Sequence, residues 1–309
     1  MRHVELSVII VSYKVPDLLT VCLDTLDKAC RGIKHEVIVV DNASEDGTVD
    51  VIRKTYPSIS VIANSENVGF ASANNQAYKV TMGRYVLILN PDTIVRECAV
   101  RKVLDFMRKT PDAGLAGCRQ VGRDGELQKS IHSIHTVWGN LLCAYGIDRI
   151  LKKEYKKETY YGNKPFAIGY PTGSFMLLRR EALCGRDLFN ESFFMYSEEP
   201  DLAMRLKLNG WLTYYVPSAE IVHVGGGSTS QNREKMFLQL HRSQLYFYRL
   251  YYSKQRALLL QLTWGLVILN TWIASFLASF VGLGRIRSDL FGRVLAAYPS
   301  MLYETWRAK

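Results

Sequence analysis

The chain has 309 residues, a formal net charge of +10, 48% hydrophobic and 22% charged residues. That length and composition allow a substantial core and exclude a disordered or fibrous chain. The basic balance suits a partner of negative charge, whether nucleic acid, anionic lipid or a diphosphate, and charge alone does not choose among them.

The first half alternates short β-rich runs with helical patterns, the form of a βαβ sheet buried on both faces. LSVIIVSY (6–13) reads as a strand and 16–30 as a helix; HEVIVVDNAS (35–44) reads as the second strand, leading to a helix that begins near Asp46 and ends before Pro57. SVIANS (60–65) is a short third strand, 71–80 a helix, and RYVLILNPD (84–92) a central strand that ends in a polar loop. The polar groups cluster just after the strands, where open α/β sheets hold their ligands. From Met236 onward the composition turns aromatic and basic, and 257–284 carries no formal charge. As a helix that stretch spans roughly 40 Å against a hydrocarbon core of roughly 30 Å. Trp264 and Trp272 suit a membrane interface, Arg285 and Arg287 close the stretch, and Thr271, Ser275, Ser279 and Gly282 form a small-residue stripe. The alternative is a buried helix pair of a soluble domain. The expected division is therefore 1–235 and 236–309.

The cysteines Cys22, Cys30, Cys98, Cys118, Cys143 and Cys184 include no Cys-x-x-Cys pair, so neither a zinc site nor a disulfide framework is expected. The apolar run 6–11 is too short for a signal peptide. Both features point to the cytoplasm.

Asp41 ends a strand in VIVVDNASEDGT, where its carboxylate can accept from a pyrimidine imide N–H or a ribose hydroxyl, or else cap the turn with Asn42, Ser44 and Asp46. In NVGFASANN, Gly69 permits close backbone approach and the next helix start suits a diphosphate, although a plain glycine turn explains the same residues. Asp92 in LNPDT, with Asn90 two residues earlier, ends the most hydrophobic strand and suits Mg²⁺ or Mn²⁺; the alternative is a Pro-Asp turn. Glu198, Glu199 and Asp201 crowd the start of a helix behind Phe193, Phe194, Met195 and Tyr196. Crowded acids in an enclosed site raise one another's pKa, which suits a general base, while the alternative is favourable helix-dipole electrostatics. His223 stands between a strand and the glycine run of HVGGGST, where an imidazole can join a metal and the loop can close over phosphates.

The ordered set VSY, VDNASEDGT, NVGFASANN, LNPDT, PTGSFMLLRREAL, FFMYSEEPDLAMRLKLNGW and HVGGGST resembles the family 2 glycosyltransferases of GT-A fold across roughly residues 4–250. It is most similar to the bacterial rhamnosyltransferase-type branch. The resemblance implies an α/β, Rossmann-like, mixed and mostly parallel sheet flanked by helices, followed here by the C-terminal hydrophobic helical segment. It implies an inverting, metal-dependent transfer from a nucleoside-diphosphate sugar, with dTDP-rhamnose as the branch donor; Asp41 favours a base with an imide N–H, hence a UDP- or dTDP-linked donor over a CDP-linked one. Asp41 would bind the base; Ser12, Asn67, Gly69, Asn74 and Asn90 would complete the donor site. Asp92 and His223 would hold Mg²⁺ or Mn²⁺. Gly173, Ser174 and Trp211 would face the acceptor, and Glu199, with Glu198 and Asp201 beside it, would supply the base. Two departures stand out: Asn90 replaces the first Asp of the DxD motif in many relatives, and Glu199 replaces an Asp.

The expected acceptor is a glycan or a polyprenyl-diphosphate-linked glycan at the cytoplasmic face of the membrane, with lipid contact through the C-terminal segment and no nucleic-acid partner. A non-catalytic, membrane-associated sugar-nucleotide-binding protein is the competing class. SYKVPDLL after the first strand, in place of GxGxxG, argues against a dinucleotide-dependent oxidoreductase.

Overall fold

The computed structural model describes residues 4–134, 136, 162–225, 233–280 and 285–307. The chain divides into two compact units, one of 1–133, 156–194 and 198–231, the other of 134–155, 195–197 and 232–309.

The first unit is built on a nine-stranded sheet. Its opening run is β1 (Leu6–Ser12), α1 (Pro16–Ala29), β2 (His35–Asp41), α2 (Thr48–Thr55), β3 (Ser60–Ala63), α3 (Phe70–Val80) and β4 (Tyr85–Leu89). Pro16 opens α1 at a position where its missing N–H costs nothing. There follow β5 (Thr93–Val95), α4 (Ala99–Lys109), β6 (Ala113–Val121), β7 (Ile131–His132), β8 (Phe166–Ala167), β9 (Tyr170–Pro171), β10 (Phe175–Arg179), α5 (Glu198–Leu208) and β11 (Leu212–His223).

The sheet order is β3-β2-β1-β4-β10-β6-β11-β5, with β8 also on β11; β7 and β9 form a separate two-stranded sheet. Alternate side chains of the central strands feed cores on opposite faces, as a strand's two-residue period requires. Val8, Ile10, Leu87 and Leu89 pack with Leu19, Leu23, Val100 and Val103 of α1 and α4. Ile9, Val86 and Ile88 pack with Ala73 and Ala77 of α3 and Leu202 and Leu206 of α5. Full burial of each large aliphatic side chain contributes about 1.5–3 kcal/mol, so covering both faces fixes which strand edge remains for chemistry.

Pairing directions define that edge. β1 runs parallel to β2 and β4, β2 to β3, and β6 to β11. β10 is antiparallel to both β4 and β6, so these two strands share a direction. The carboxyl ends of β1, β2, β3, β4, β6 and β11 therefore lie along one edge. Because β5 is antiparallel to β11 and starts at Thr93 opposite His223, both β5 and β10 begin at that edge. After β6, a tight turn with Gly122 N–H bonded to the Glu126 carbonyl at 2.8 Å returns the chain, and Gln128 N–H meets the Gln120 carbonyl at 2.9 Å.

The expected strand 35–44 stops at Asp41, because Ala43 and Glu45 adopt positive φ, at 66° and 53°. The expected strand 84–92 likewise ends at Leu89, and Asn90–Asp92 turn directly into β5.

In the second unit, α6 (Arg233–Tyr251), α7 (Lys254–Ser279) and α8 (Arg285–Arg307) surround Leu245, Ile268, Val294, Tyr298 and Met301. α7 turns polar groups inward. Gln261 is fully buried, gives Nε2–H to the Leu245 carbonyl at 3.1 Å and accepts from Trp306 Nε1 at 2.9 Å. Leu258, Leu262, Leu266, Leu269, Ile273 and Leu277 are exposed along its other side. Of the small-residue stripe, Ser275 is buried, while Gly282 lies outside the described residues. So do Cys143 and the glycines Gly226 and Gly227, and nothing of the side chains of Arg285 and Arg287 is described.

Candidate active site

Ser12 and Asp41 end β1 and β2 as register partners. Asp41 is 3% exposed, and its Oδ2 accepts the Ser44 N–H at 3.0 Å while its Oδ1 makes no hydrogen bond. Turn-capping thus occupies one oxygen and leaves the other for a ligand. The Ser12 hydroxyl is also buried without a partner. Asn42, which the sequence reading treats only as a possible cap, ties the edge together: its Nδ2 donates to Asn67 Oδ1 at 2.9 Å, and its Oδ1 accepts from Val68 N–H and Asn64 Nδ2 at 3.1 Å each.

Asn67 is exposed, and its side-chain oxygen also accepts the Gly69 N–H at 3.0 Å. The close approach expected at Gly69 is made by the chain itself: a β-carbon there would lie 2.6 Å from the Phe194 carbonyl oxygen, which accepts the Phe70 N–H at 2.8 Å. Gly69, at φ 88°, therefore lets the loop before α3 seat on the segment before α5. Asn74 is fully buried; its Nδ2 bonds the Phe70 carbonyl at 2.8 Å and its Oδ1 has no partner.

Asp92 and His223 meet because β5 pairs with β11. His223 sits opposite Thr93, and Val224 N–H donates to the Asp92 carbonyl at 3.0 Å. His223 Nε2 stands 3.4 Å from Asp92 Oδ1, an oxygen that is buried and makes no hydrogen bond. An anionic oxygen and an imidazole nitrogen, side by side and unspent, fit Mg²⁺ or Mn²⁺. Among the described residues no group of three or more His, Cys, Asp or Glu is placed to hold one ion. Asn90 contributes its backbone here, its N–H meeting the Ser174 carbonyl at 3.2 Å and its carbonyl meeting Cys22 Sγ at 3.6 Å.

α5 opens with Glu198, Glu199 and Asp201 in its first turn, directly after Tyr196 and Ser197, which both hold positive φ, at 68° and 69°. Glu199 lies against Gly173, whose N–H bonds its carboxylate. Burial pushes the Glu199 carboxyl above the ordinary carboxylate range, and the amides of Gly173 and of Glu199 itself pull partly against that rise. Burial, with the Glu199 charge adding to it, also raises the Tyr170 phenol, so Tyr170 shares this corner. Ser174, fully buried with a partnerless hydroxyl, accepts at its carbonyl from Asn90 N–H and from Thr93 Oγ1 at 3.4 Å. Glu199 is thus linked through Gly173 and Ser174 to the residues flanking Asp92.

Ser12, Asp41, Asn74, Asp92 and Ser174 each bring a buried polar atom without a hydrogen bond to this one edge. Leaving such an atom unmet costs about 1–3 kcal/mol, and their concentration marks the seat of a polar ligand.

Two expectations are corrected. Asp201 is fully buried and bound to Arg205 Nε at 2.9 Å; Arg205 in turn donates to the carbonyls of Asp187 and Leu188 at 3.1 and 2.6 Å, so Asp201 is a brace rather than a base. Trp211 precedes β11 and so lies at the sheet edge opposite His223, at the other end of the strand. There it packs on Gly114 and under the Arg179 guanidinium at 5.8 Å, which also covers Tyr85 at 5.4 Å. Glu198 is buried beside Glu199.

Gln128 and Asn75 are missed by sequence reasoning. Gln128 bonds His223 twice, and Asn75 exchanges bonds of 2.8 and 2.9 Å with the Phe189 backbone. Neither stands in a pattern that foretells its partner.

The mixed, mostly parallel sheet with its polar carboxyl edge is a GT-A fold. The glycosyl transferase family 2 model matches residues 7–185, and the chain belongs to that family: it is a glycosyltransferase. It is 28% identical over 236 residues to the N-acetylglucosaminyl-diphospho-decaprenol L-rhamnosyltransferase of Mycobacterium tuberculosis, covering 68% of this chain and 73% of that one. It is 26% identical to the rhamnosyltransferase WbbL of Escherichia coli, over 70% of this chain and 82% of that protein. A mannosyltransferase from Pyrobaculum calidifontis, solved in complex with GDP-Man and Mn²⁺, shares the fold with a TM-score of 0.61 at 17% identity, covering 98% of this chain and 88% of the other.

Proposed function

We propose that the chain is an inverting glycosyltransferase that moves a sugar from a UDP- or dTDP-linked donor, rhamnose being the first candidate, to a hydroxyl of a glycan or polyprenyl-diphosphate-linked glycan. The observation that carries the reading is the meeting of Glu199, held by Gly173, with the Asp92–His223 pair at one sheet edge.

Asp41, Ser12 and Asn74 bind the nucleoside, with Asn42, Asn67 and Gly69 shaping the loop around it. Asp92 and His223 would hold a divalent ion, which would supply neutralisation of charge on the leaving diphosphate. Glu199 takes the proton of the acceptor hydroxyl; that oxygen bonds the anomeric carbon as its bond to the diphosphate oxygen breaks, and the nucleoside diphosphate leaves from the opposite face. Burial of Glu199 supports its role, because a raised pKa makes a carboxylate a better proton acceptor. Gly173 and Ser174 set the acceptor side, with Tyr170 beside them.

The catalytic residues all lie in the first compact unit, and the expected membrane-associated part, 236–309, lies in the second. α7 supports lipid contact because its polar Gln261 is buried while a row of leucines is exposed, the reverse of a water-facing helix. α7 is also the one helix among the described residues long and apolar enough to cross a membrane. The mycobacterial relative is a transferase to a decaprenol-diphosphate-linked sugar, which supports a polyprenyl-diphosphate-linked acceptor here. The test is a panel of UDP-, dTDP- and GDP-sugars with membrane acceptor, read by mass spectrometry, with and without Mn²⁺. Transfer that is indifferent to both Asp92→Ala and Glu199→Gln would overturn the reading.

A further inference from the structure

We infer that Gln128 is a positioning residue that selects the ring tautomer of His223, so that Nε2 presents a lone pair to a divalent ion beside Asp92. The inference rests on the metal reading above and adds a residue to it.

The backbone fixes the orientation of the Gln128 amide. The His223 carbonyl only accepts, so the group facing it at 2.9 Å is the Gln128 –NH₂. The amide oxygen is then the atom 3.2 Å from His223 Nδ1. Facing an acceptor, Nδ1 carries the proton, and in a neutral ring Nε2 is left as the lone-pair nitrogen. That nitrogen looks onto Asp92 Oδ1 at 3.4 Å, another acceptor with no hydrogen bond. Two acceptors facing each other are repulsive unless a cation or a second ring proton lies between them, and in the neutral ring the hydrogen bond to Nδ1 is what prevents relief of the contact by moving the proton to Nε2.

Gln128 is itself fixed in place. The turn after β6 closes through Gly122 and Glu126, Val121 bridges Leu127, and Gln128 N–H is held by Gln120. Since β6 runs parallel to β11 with Val121 opposite Val222, the returning chain delivers Gln128 to the side of His223 away from Asp92.

The test titrates Mn²⁺, followed by electron paramagnetic resonance, into the full chain with UDP and, separately, with dTDP. Gln128→Met, which keeps length and loses both bonds, is expected to weaken Mn²⁺ binding about 10- to 100-fold. Gln128→Glu, which keeps an acceptor for Nδ1–H and loses the donor to the carbonyl, is expected to retain most of the affinity. Equal affinity in the Met variant and the unsubstituted chain overturns the role of Gln128 and leaves the metal reading intact. No Mn²⁺ binding by the unsubstituted chain with either nucleotide, or binding unchanged in Asp92→Ala, overturns the metal reading itself. Nitrogen-15 NMR of His223 in the unsubstituted chain needs no variant: a protonated Nδ1 is expected, and a protonated Nε2 refutes the inference.

Discussion

A β-carbon built on Gly173 would stand 2.5 Å from Oε1 of Glu199, closer than any real side chain tolerates. Only glycine allows the Glu199 carboxylate to rest on the backbone of the segment that leads into β10. Gly173→Ala should therefore displace the carboxylate while leaving both cores untouched. The expected result is a fall in kcat of at least 10-fold with little change in donor KM, and a far-UV circular dichroism spectrum like that of the unsubstituted enzyme. Glu199→Gln removes the base outright and should lose about 10²–10⁴-fold. A Gly173→Ala enzyme with normal kcat would mean that the contact is packing alone.

The raised pKa of Glu199 has a sign that can be read in a pH profile. A general base works when deprotonated, so activity falls as pH drops through its pKa. With burial moving that pKa above the ordinary 4.5, the acid limb of kcat/KM should lie at higher pH than a solvent-exposed glutamate gives. In the Glu199→Gln enzyme the limb should vanish from the residual rate. An acid limb at the position of an ordinary carboxylate, in an enzyme shown to be folded there, would assign it to another group.

Much of this site is legible in the sequence because strand ends are. Leu6–Ser12 and His35–Asp41 announce themselves as apolar runs that stop at a polar residue, and Ser12 and Asp41 fall at the edge that parallel pairing makes common. Pairing between distant segments is not legible in that way. Nothing in LNPDT or IVHVGGG states that Thr93 lies opposite His223, and only the resemblance to a family joins them beforehand. Trp211 illustrates the opposite failure: it follows the acidic helix closely in sequence, yet α5 runs from the active edge to the far edge and carries Trp211 away to Arg179. Asp201 misleads similarly, since one turn of helix separates a carboxylate on the cleft from one buried against Arg205.

Removal of either member of the Asp92–His223 pair should appear in metal dependence. Asp92 supplies an anionic oxygen, and Asp92→Ala is expected to abolish transfer at any Mn²⁺ concentration. His223→Ala keeps that oxygen and should raise the Mn²⁺ concentration for half-maximal activity about 10-fold or more. EDTA should stop the unsubstituted enzyme, and added Mn²⁺ should restore it. Full activity in EDTA would remove the ion from the mechanism.

The second unit carries its own pH sensitivity. His241 is 3% exposed, accepts from Trp264 Nε1 at 3.1 Å and lies edge-on to Phe237 with ring centroids 4.9 Å apart. Burial pushes its imidazole down from 6.5 to about 4. The unfolded chain thus takes up a proton near pH 6.5 that the folded chain refuses until about pH 4. Stability is full above pH 6.5 and declines as pH falls through that window. The span of the shift corresponds to about 3 kcal/mol, at 1.36 kcal/mol per pH unit. His241→Gln, which still accepts from Trp264, should flatten the decline in denaturant midpoints between pH 6.5 and pH 4.5; an unaltered slope would locate the sensitivity elsewhere.

α7 is too polar on its packed side for a helix surrounded by lipid, and too apolar on its outer side for one surrounded by water. Gln261 is fully buried, bonded to the Leu245 carbonyl and to Trp306, and the Tyr298 hydroxyl donates to the Gln261 carbonyl. Those bonds hold the inner face within the three-helix unit. Leu262, Leu266 and Leu277, by contrast, are 54%, 46% and 61% exposed and fall on one stripe. Such a face suits the membrane interface, apolar side down, where each leucine entering lipid would contribute about 1.5–3 kcal/mol. Replacing these three leucines by glutamine keeps helix propensity and removes no internal contact of the core. Partition of the full chain onto vesicles containing anionic lipid should then fall at least 100-fold, with turnover of a water-soluble acceptor analogue unchanged. A triple variant that sediments with vesicles as the unsubstituted chain does would refute contact through this face.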